Sequence, residues 1–321
     1  MEIGSFLELQ FPKGKEYYYR ADRIARLNTG RAAIWHAFRV TGCSTIWLPY
    51  YQCDSVREFL QKKQVNIKYY HIDREFNPTD LTPQEDEAVL LVNYYGIMSG
   101  YRMAKLAAGW KHPIIDNCQA FFCSPIKNAL NVYSCRKFVG VPDGAYVIGE
   151  GAEQFTETYP QCFSSDTAAF LLKRIEYGCE GEGYASRQIN EHRIDTEDCM
   201  QMSKLTRTIL DGTNYPEIIH KRSANFRYAQ KLFDSINQIK ADQYLDEITV
   251  PMVYPLVVED DTLLPRLQAA KHFQGHWWSY LCEEMQEDTT EYWLSRYIIP
   301  ITIDQRYGEA ELDYIKKVVD A

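Results

Sequence analysis

The sequence has no apolar run near the ~20 residues that a membrane-spanning helix needs. Its Lys and Arg residues form no basic run, and the net charge at pH 7 is −9. The electrostatic footprint of a nucleic-acid binder is therefore missing. Residues 1–20 include Glu2 and Glu8 and no unbroken apolar segment, so they lack the pattern of a secretory signal. We expect neither a membrane nor a nucleic acid as a partner.

Several motifs that mark common kinds of site are also missing. The nine cysteines are odd in number and include no CxxC pair, which argues against a disulfide framework and a zinc ribbon. His272 and His276 enclose no glutamate, so they do not form an HExxH metal motif. The glycine motifs of dinucleotide and P-loop sites, GxGxxG and GxxxxGKS or GxxxxGKT, do not occur. We expect no metal, and reduced thiols in a cytoplasmic protein.

The first half of the sequence alternates short apolar runs with amphipathic segments. The apolar runs predict strands at 45–48, 66–71, 88–93, 113–115, 131–133 and 145–148. Apolar residues at helical spacing predict helices at 32–40, 51–63 and 103–109. Strands that alternate with helices are typical of a mostly parallel sheet. The predicted fold class is therefore α/β.

The second half of the sequence has an α+β pattern, and 321 residues are enough for about two domains. Helical patterns cover 154–179, 202–210, 217–236 and 263–273, strands are predicted at 250–258 and 297–303, and 177–184 is a glycine-rich loop. We predict a large domain over residues 1–205, which begins with an arm at 1–19. Linking helices and a smaller C-terminal domain are predicted over 206–321.

Polar and ionisable side chains follow two of the predicted strands. Asp116 and Gln119 come directly after 113–115, and Ser134 and Lys137 directly after 131–133. Ligands of open α/β sheets bind beyond the carboxyl ends of the strands, so both pairs are expected at one edge. An enzyme that uses pyridoxal 5′-phosphate (PLP) needs a lysine for the Schiff base and a carboxylate beside the pyridinium nitrogen. The stretch therefore predicts PLP as the cofactor.

Lys137 is the residue on which this prediction depends. A nucleophilic lysine must be partly neutral, which requires desolvation or a cationic neighbour, and Arg136 precedes it. The ordinary alternative is an exposed surface lysine. Against that alternative, Lys137 lies between a strand end and the glycine turn at 141–144 rather than on a helix face. Asp116 also has a common alternative role, as a turn or cap residue.

Three further places can contribute to such a site. Thr29-Gly30-Arg31 opens a helix, and free N–H groups at a helix start bind anions, although most capped helix starts bind nothing. Tyr51 or Cys53 follows a strand and can stack on a cofactor ring; the sequence does not decide between them. Asn93 ends a strand, where it either lines the pocket or satisfies backbone groups.

In order and spacing these segments resemble the DegT/DnrJ/EryC1/StrS family of PLP-dependent aminotransferases, which has the aspartate aminotransferase fold (fold type I). The similarity covers nearly the whole chain. Five segments resemble motifs of the family: 28–33 resembles SGTxA, 49–53 resembles PsxTF, 92–96 resembles VHlyG, 116–120 resembles EDxAQA, and 133–144 resembles SFxxxK with GEGG. Residues 202–206 and 299–304 also resemble family segments. Arg31 stands where threonine is usual, Asn93 where histidine is usual, and Cys53 where the ring-stacking aromatic is usual.

The resemblance implies a role for each matched residue. The implied cofactor-binding residues are Gly30, Arg31, Tyr51, Cys53, Asn93, Asp116, Gln119, Ser134 and Lys137, with Lys137 and Asp116 also catalytic. Ser134 would bind the phosphate, Asp116 the ring nitrogen and Gln119 the ring hydroxyl. The resemblance also implies a homodimer with shared active sites, which the arm at 1–19 and the loop at 177–184 could complete.

The implied function is an aminotransferase with two small-molecule substrates, an amino donor and a keto acceptor. Glutamate is the implied donor, and the acceptor is a nucleotide-linked keto sugar of polysaccharide or antibiotic-type biosynthesis. Lys137 would move the proton between the donor Cα and the C4′ carbon of the cofactor. Arg306 is a candidate for binding the donor carboxylate, with a surface ion pair as the alternative.

Three other functions compete with this interpretation. One is a PLP enzyme of another type, such as a sugar dehydratase, in which a histidine would occupy the place of Lys137. Another is a non-catalytic or regulatory protein with this fold, which the unusual Cys53 and Asn93 keep open. The third is a nucleotide binder without PLP, and the missing glycine motif counts against it.

Overall fold

The computed structural model describes residues 3–321; Met1 and Glu2, at the start of the predicted arm, lie outside the described residues. Eight strands form one sheet: β1 Ile24–Leu27, β2 Thr45–Pro49, β3 Asn66–Ile72, β4 Pro78–Thr79, β5 Glu87–Val92, β6 Pro113–Asn117, β7 Leu130–Ser134 and β8 Ala145–Ile148. Two more form a second sheet, β9 Val253–Val257 and β10 Ile298–Thr302. The α-helices are α1 Gly30–Thr41, α2 Asp54–Lys62, α3 Gly100–Ala107, α4 Ala169–Tyr177, α5 Gly181–Thr196, α6 Lys204–Asp211, α7 Tyr215–Phe233, α8 Leu263–Ala269, α9 Leu281–Glu284, α10 Thr290–Tyr297 and α11 Glu309–Asp320.

The large sheet is mostly parallel. Its spatial order is β1-β8-β7-β6-β5-β2-β3-β4, and the five strands from β7 to β3 all run in one direction. The other three pair in antiparallel fashion, β8 with β7, β1 with β8 and β4 with β3. Val92 is in register with Asp116, and Asp116 with Val132, so β5, β6 and β7 end at one edge. The predicted α/β class with a mostly parallel sheet is confirmed.

The central strands are covered on both faces, which is why their sequences are mostly apolar and do not alternate with polar residues. Every residue of β2, β5, β6 and β7 is buried. One face packs on α1 and α2, and the other shares a core with α3, α7 and the second sheet. Trp47 and Tyr94 belong to the same core as Tyr254 and Ile298, so the two sheets are joined by packed side chains. The predicted domain boundary at 205/206 stays a prediction.

The prediction of a helix over 154–179 is wrong for its first half. Only short 3₁₀ turns occur at Thr156–Thr158 and Ser165–Thr167 before α4 begins. The backbone here bonds to a distant segment instead of to itself: Cys162 N donates to Gln201 O at 3.0 Å, and Gln201 N donates to Pro160 O at 2.9 Å. Pro160 has no N–H to donate within a helix, and this segment instead forms backbone hydrogen bonds with Gln201.

The glycine-rich stretch at 177–184 is not a loop, since α5 begins inside it. Gly178 ends α4 with φ at +78°, a conformation that favours glycine. A Cβ at Gly183 would lie 2.2 Å from the backbone oxygen of Gly178. These glycines therefore allow two helices to turn and pack closely, which makes the stretch a helical hairpin. Its place at a subunit boundary stays a prediction.

The predicted arm has two parts with different surroundings. Tyr17 and Tyr18 pack with Phe121 at ring-centroid distances of 5.7 and 5.6 Å, which fixes the end of the arm to the large sheet. The earlier part exposes Ile3, Phe6, Leu7 and Leu9. Within residues 3–321, no helix has the length and apolar character that crossing a membrane would require.

Candidate active site

A cavity of about 330 Å³ lies at the carboxyl ends of the parallel strands, between the start of α1, the turn after β7, helix α5 and Trp278. Seven of the nine predicted site residues line it: Gly30, Arg31, Cys53, Asp116, Gln119, Ser134 and Lys137. The strands that carry Asp116 and Ser134 are neighbours in the sheet. The structure thus brings the aspartate and the lysine to one cavity, although they come from separate strand ends.

The Asp116 carboxylate is held in one orientation by its neighbours. It is 7% exposed, Oδ1 accepts from the backbone N of Cys118 at 2.9 Å, and Oδ2 accepts from Gln52 Nε2 at 3.3 Å. Gln119 is fixed through its Oε1, which accepts from the backbone N of Tyr95 at 2.6 Å. Gln52 Oε1 has no hydrogen-bond partner among residues 3–321, and Gln52 lines the cavity.

The start of α1 forms another wall of the cavity. Thr29 caps the helix by accepting from the backbone N of Ala32 at 3.2 Å, and the first turn of α1, with its free N–H groups, borders the cavity at Gly30 and Arg31. A Cβ at position 30 would lie 2.8 Å from Cys118 Sγ, so a side chain larger than that of glycine would require the thiol or the helix start to shift. Burial and the nearby Asp116 raise the pKa of the Cys118 thiol, so it stays neutral. Ser134 completes this wall from the end of β7.

The turn that carries Lys137 is tied to the C-terminal part of the chain. The backbone oxygen of Lys137 accepts from Arg222 Nη2 at 3.3 Å, and that of Phe138 accepts from Gln305 Nε2 at 2.9 Å. Burial lowers the pKa of Arg222 to about 10, and its guanidinium lies over the Phe138 ring at 4.5 Å. The backbone of the turn is thereby fixed, while the Lys137 side chain is exposed toward the cavity.

Helix α5 supplies a wall that the sequence analysis missed. Glu191, Ile194 and Asp195 line the cavity from this helix. Arg136 Nη2 donates to Glu191 Oε1 at 2.5 Å, and Arg31 Nη2 donates to Asp195 Oδ1 at 2.8 Å. The signal in the sequence was two acidic residues four positions apart in a helical pattern, which place both on one helix face. The glycine-rich stretch before them predicts a loop, so the sequence alone does not place this helix face.

Two predicted cofactor ligands do not line the cavity. Tyr51 is 0% exposed, and its hydroxyl is paired with that of Tyr95 at 2.7 Å inside the core. Asn93 is also fully buried, and its side chain bonds the backbone N and O of Met98 at 3.2 and 3.0 Å. The Asn93 side chain thus satisfies backbone groups and does not line the cavity.

Two other positions differ from what the sequence suggested. Arg306 pairs with Asp304 at 2.7 Å and does not line the cavity, which corresponds to the surface ion pair weighed against donor binding. Trp278 lines the cavity beside Cys53, with its ring edge-on to Tyr51 at 4.5 Å. Tyr280 keeps this segment in place, because its hydroxyl donates to Gln52 O at 2.8 Å. The sequence around Trp278 has no periodicity that would have placed it.

No family model matches the sequence, and no curated protein matches it by sequence either. Solved structures do match. A DegT DnrJ EryC1 StrS aminotransferase from Brucella abortus is 12% identical, with a TM-score of 0.62, over 94% of this chain and 86% of that chain. The sugar aminotransferase CalS13 from Micromonospora echinospora is 13% identical, with a TM-score of 0.60, over 94% and 88%. The E. coli GDP-4-keto-6-deoxy-D-mannose-3-dehydratase with bound hydrated PLP is 11% identical, with a TM-score of 0.61, over 94% and 88%.

The chain has the fold of these enzymes. The predicted fold, type I of the PLP-dependent transferases, is confirmed, and the resemblance to the DegT/DnrJ/EryC1/StrS group holds at the level of the fold. Sequence identities of 11–13% show a shared fold and not a shared activity. Among residues 3–321, no group of three or more His, Cys, Asp and Glu side chains is arranged to hold a metal ion.

Proposed function

We propose that the chain is a PLP-dependent aminotransferase that moves an amino group from an amino-acid donor to a keto acceptor. The observation that carries this proposal is the common cavity of Asp116 and Lys137, at the carboxyl edge of a sheet with the type I fold. When bound, PLP supplies an electron sink that stabilises negative charge on the donor Cα. Side chains of the chain itself perform every other step.

The residues around the cavity suit this cofactor. The volume of about 330 Å³ is in the range of small-molecule sites. The N–H groups at Gly30 and Arg31 and the hydroxyl of Ser134 are donors for a phosphate, and a helix start favours an anion. Asp116 is an acceptor for a ring N–H. Gln52 Oε1, buried and without a partner among the described residues, gains one if a donor enters the cavity.

Each functional side chain then has one task. Lys137 Nζ would hold the cofactor and later carry the proton between the donor Cα and C4′. Asp116, fixed by Gln52 and the Cys118 N–H, would keep a proton on the ring nitrogen. Gln119, whose Oε1 is held by the backbone N of Tyr95, lines the same cavity and would contact the ring hydroxyl. Cys118 supplies a neutral surface beside Gly30 rather than a thiolate.

The proposed substrates are glutamate as donor and a nucleotide-linked keto sugar as acceptor. Support for a sugar comes from the similar structures, which include one described as a sugar aminotransferase and one described as a sugar dehydratase. The dehydratase among them makes sugar dehydration the second candidate function. Lys137 favours transamination, because the dehydratase alternative weighed from the sequence has a histidine at that place.

We also propose a homodimer. The support is the apolar beginning of the arm, where Ile3, Phe6 and Leu7 are 89%, 91% and 86% exposed, an unusual amount of apolar surface for one short segment. A second copy of the chain would cover it. Sedimentation equilibrium of the full chain and of a variant with Phe6→Ser and Leu7→Ser tests this: a dimer that weakens in the variant supports the proposal, and a monomer in both contradicts it.

The function is tested on the purified protein with added PLP. We expect a yellow chromophore that borohydride traps on Lys137, as mapped by mass spectrometry, and that glutamate bleaches. Lys137→Ala should abolish trapping, whereas Lys127→Ala, an exposed lysine outside the cavity, should leave it unchanged. A colourless protein, or an adduct on another lysine, would overturn the proposal. A normal adduct without bleaching by any amino acid would favour the non-catalytic alternative.

A further inference from the structure

Arg136 is the neighbour of Lys137 in the chain, and both line the cavity. Its Nη2 donates to Glu191 Oε1 at 2.5 Å, while its Nε is buried and has no hydrogen-bond partner among residues 3–321. A guanidinium has five N–H donors in a planar fork, so a single carboxylate oxygen leaves most of them unused. Arg136 is therefore a partly buried cation beside the proposed reacting lysine, with capacity for a further anion.

Glu191, on helix α5, forms its ion pair with Arg136 from outside the large sheet. The side chains of Arg136 and Glu191 are 23% and 29% exposed. The same Oε1 atom also lies 3.5 Å from Nε of Arg187, which is 62% exposed and does not line the cavity. Glu191 is thus shared between a guanidinium inside the cavity and one outside it. If it loses Arg136, it keeps a cationic partner on its own helix.

Three other cations differ from Arg136 in their partners or in their position. Arg31 donates to Asp195 and to the backbone oxygen of Ile194, at 2.8 and 2.6 Å, and lies at the proposed phosphate end. Arg306 is paired with Asp304 and does not line the cavity. Lys137 is assigned to the cofactor in the proposed function. Arg136 is the guanidinium that remains beside the lysine.

We propose that Arg136 binds the α-carboxylate of the amino-acid donor, and that Glu191 occupies the guanidinium until the donor displaces it. This inference rests on the proposed function. The donor amine must reach the carbon that Lys137 Nζ binds, and the α-carboxylate is attached to the same carbon as that amine. A cation beside Lys137 is thus placed for it, and the guanidinium fork matches a carboxylate in two hydrogen bonds.

Because Glu191 and the donor carboxylate compete for Arg136, Glu191 should weaken donor binding by a measurable amount. A bound donor must replace a carboxylate that is already in contact with Arg136, so the affinity for the donor is lowered by that contact. Removal of the Glu191 charge should therefore tighten donor binding, whereas loss of a purely structural ion pair would loosen it. The two substitutions, at Arg136 and at Glu191, are expected to act in opposite directions.

The test uses the full chain loaded with PLP, and glutarate as a probe that has the carboxylates of glutamate but no amine to react. Glutarate affinity is measured by calorimetry and by the change in chromophore absorbance. We expect Arg136→Gln to weaken glutarate binding at least about tenfold and Glu191→Gln to tighten it about threefold or more. Arg187→Gln removes the other partner of Glu191 and should change the affinity less than about twofold.

The outcomes separate this inference from the proposed function. A wild-type protein that forms no chromophore counts against the function itself. A normal chromophore with unchanged glutarate affinity in Arg136→Gln, or weaker binding in Glu191→Gln, overturns the inference alone. A large loss of PLP affinity in Arg136→Gln would assign the guanidinium to the phosphate, and weaker binding of uridine diphosphate instead of glutarate would assign it to the acceptor; either result overturns the donor role.

Discussion

Gln52 donates through Nε2 to Oδ2 of Asp116 at 3.3 Å, and the two side chains are 4% and 7% exposed. The backbone N of Cys118 holds the other oxygen at 2.9 Å. The carboxylate is therefore oriented from two sides by groups that lie at the ends of different strands. Gln52, which follows β2, thus helps to fix the orientation of the Asp116 carboxylate at the end of β6.

Substitution of Gln52 should impair the function of Asp116 without removing it. In Gln52→Leu, Oδ2 loses its donor, so the carboxylate is oriented from one side only. We expect the rate of the half-reaction with glutamate, followed by stopped-flow absorbance, to fall about tenfold. Ser55→Ala is the matched control, because Ser55 lines the same cavity and makes no bond to Asp116. Equal rates in the two variants would contradict this role.

A methyl group at position 30 should disturb the proposed phosphate site through one specific contact. In Gly30→Ala the new Cβ would lie 2.8 Å from Cys118 Sγ, so either the thiol or the helix start must move. We expect PLP affinity, measured by absorbance titration, to weaken about tenfold. Cys118→Ala removes the opposing atom, so the double variant should recover most of the loss, with a coupling of about 1 kcal/mol or more. Additive effects would mean that the contact is not the cause.

Tyr51 should matter for stability and not for the cofactor. Its hydroxyl pairs with that of Tyr95 in the core, at 2.7 Å. In Tyr51→Phe the Tyr95 hydroxyl loses its partner, so we expect the free energy of unfolding in urea to fall by about 1 kcal/mol, with unchanged PLP affinity. Trp278→Ala, which removes a cavity wall, should instead weaken PLP binding. Because phenylalanine keeps the ring, the ring contact that the sequence suggested is tested with Tyr51→Leu, in which weaker PLP binding by the folded protein would support that contact.

The parts of the fold that the sequence revealed are those with a strong local signal. The buried strands β5 and β6 contain the apolar runs 88–92 and 113–115, and β8 was predicted with the bounds that the structure has, Ala145–Ile148. Helix α5 was missed because its glycines lie at its start, where they serve close packing with α4 rather than a loop. A sequence shows that glycine is present, but not which backbone approaches it.

The residues of the candidate site also divide into those with a local sequence signal and those without one. Asp116, Ser134 and Lys137 could be predicted to converge, because parallel strands that are buried on both faces must end at one edge. Trp278 and Glu191 could not, since they reach the cavity from segments that come much later in the chain and are brought there by tertiary packing alone. Tyr51 lies only two residues from Cys53, yet one faces the core and the other the cavity.

His272 should make the stability depend on pH in a defined window. It is 9% exposed, its Nε2 accepts only a long bond from the backbone N of Thr302, at 3.5 Å, and burial lowers its pKa to about 4. An unfolded histidine has a pKa of about 6.5, so between these values the unfolded chain binds the proton more strongly. Stability is therefore lost as the pH falls from about 6.5 toward 4.

The loss that His272 causes between pH 7 and pH 5 should be about 2 kcal/mol in the free energy of unfolding, measured in urea. In His272→Leu this part of the pH dependence should disappear, while the difference between variant and wild type at pH 8 reports only the change in packing. Burial also lowers the pKa of His36, so a smaller slope of the same sign should remain in the variant. Parallel curves for the two proteins from pH 7 to pH 5 would show that the His272 ring is as easily protonated in the folded chain as in the unfolded one.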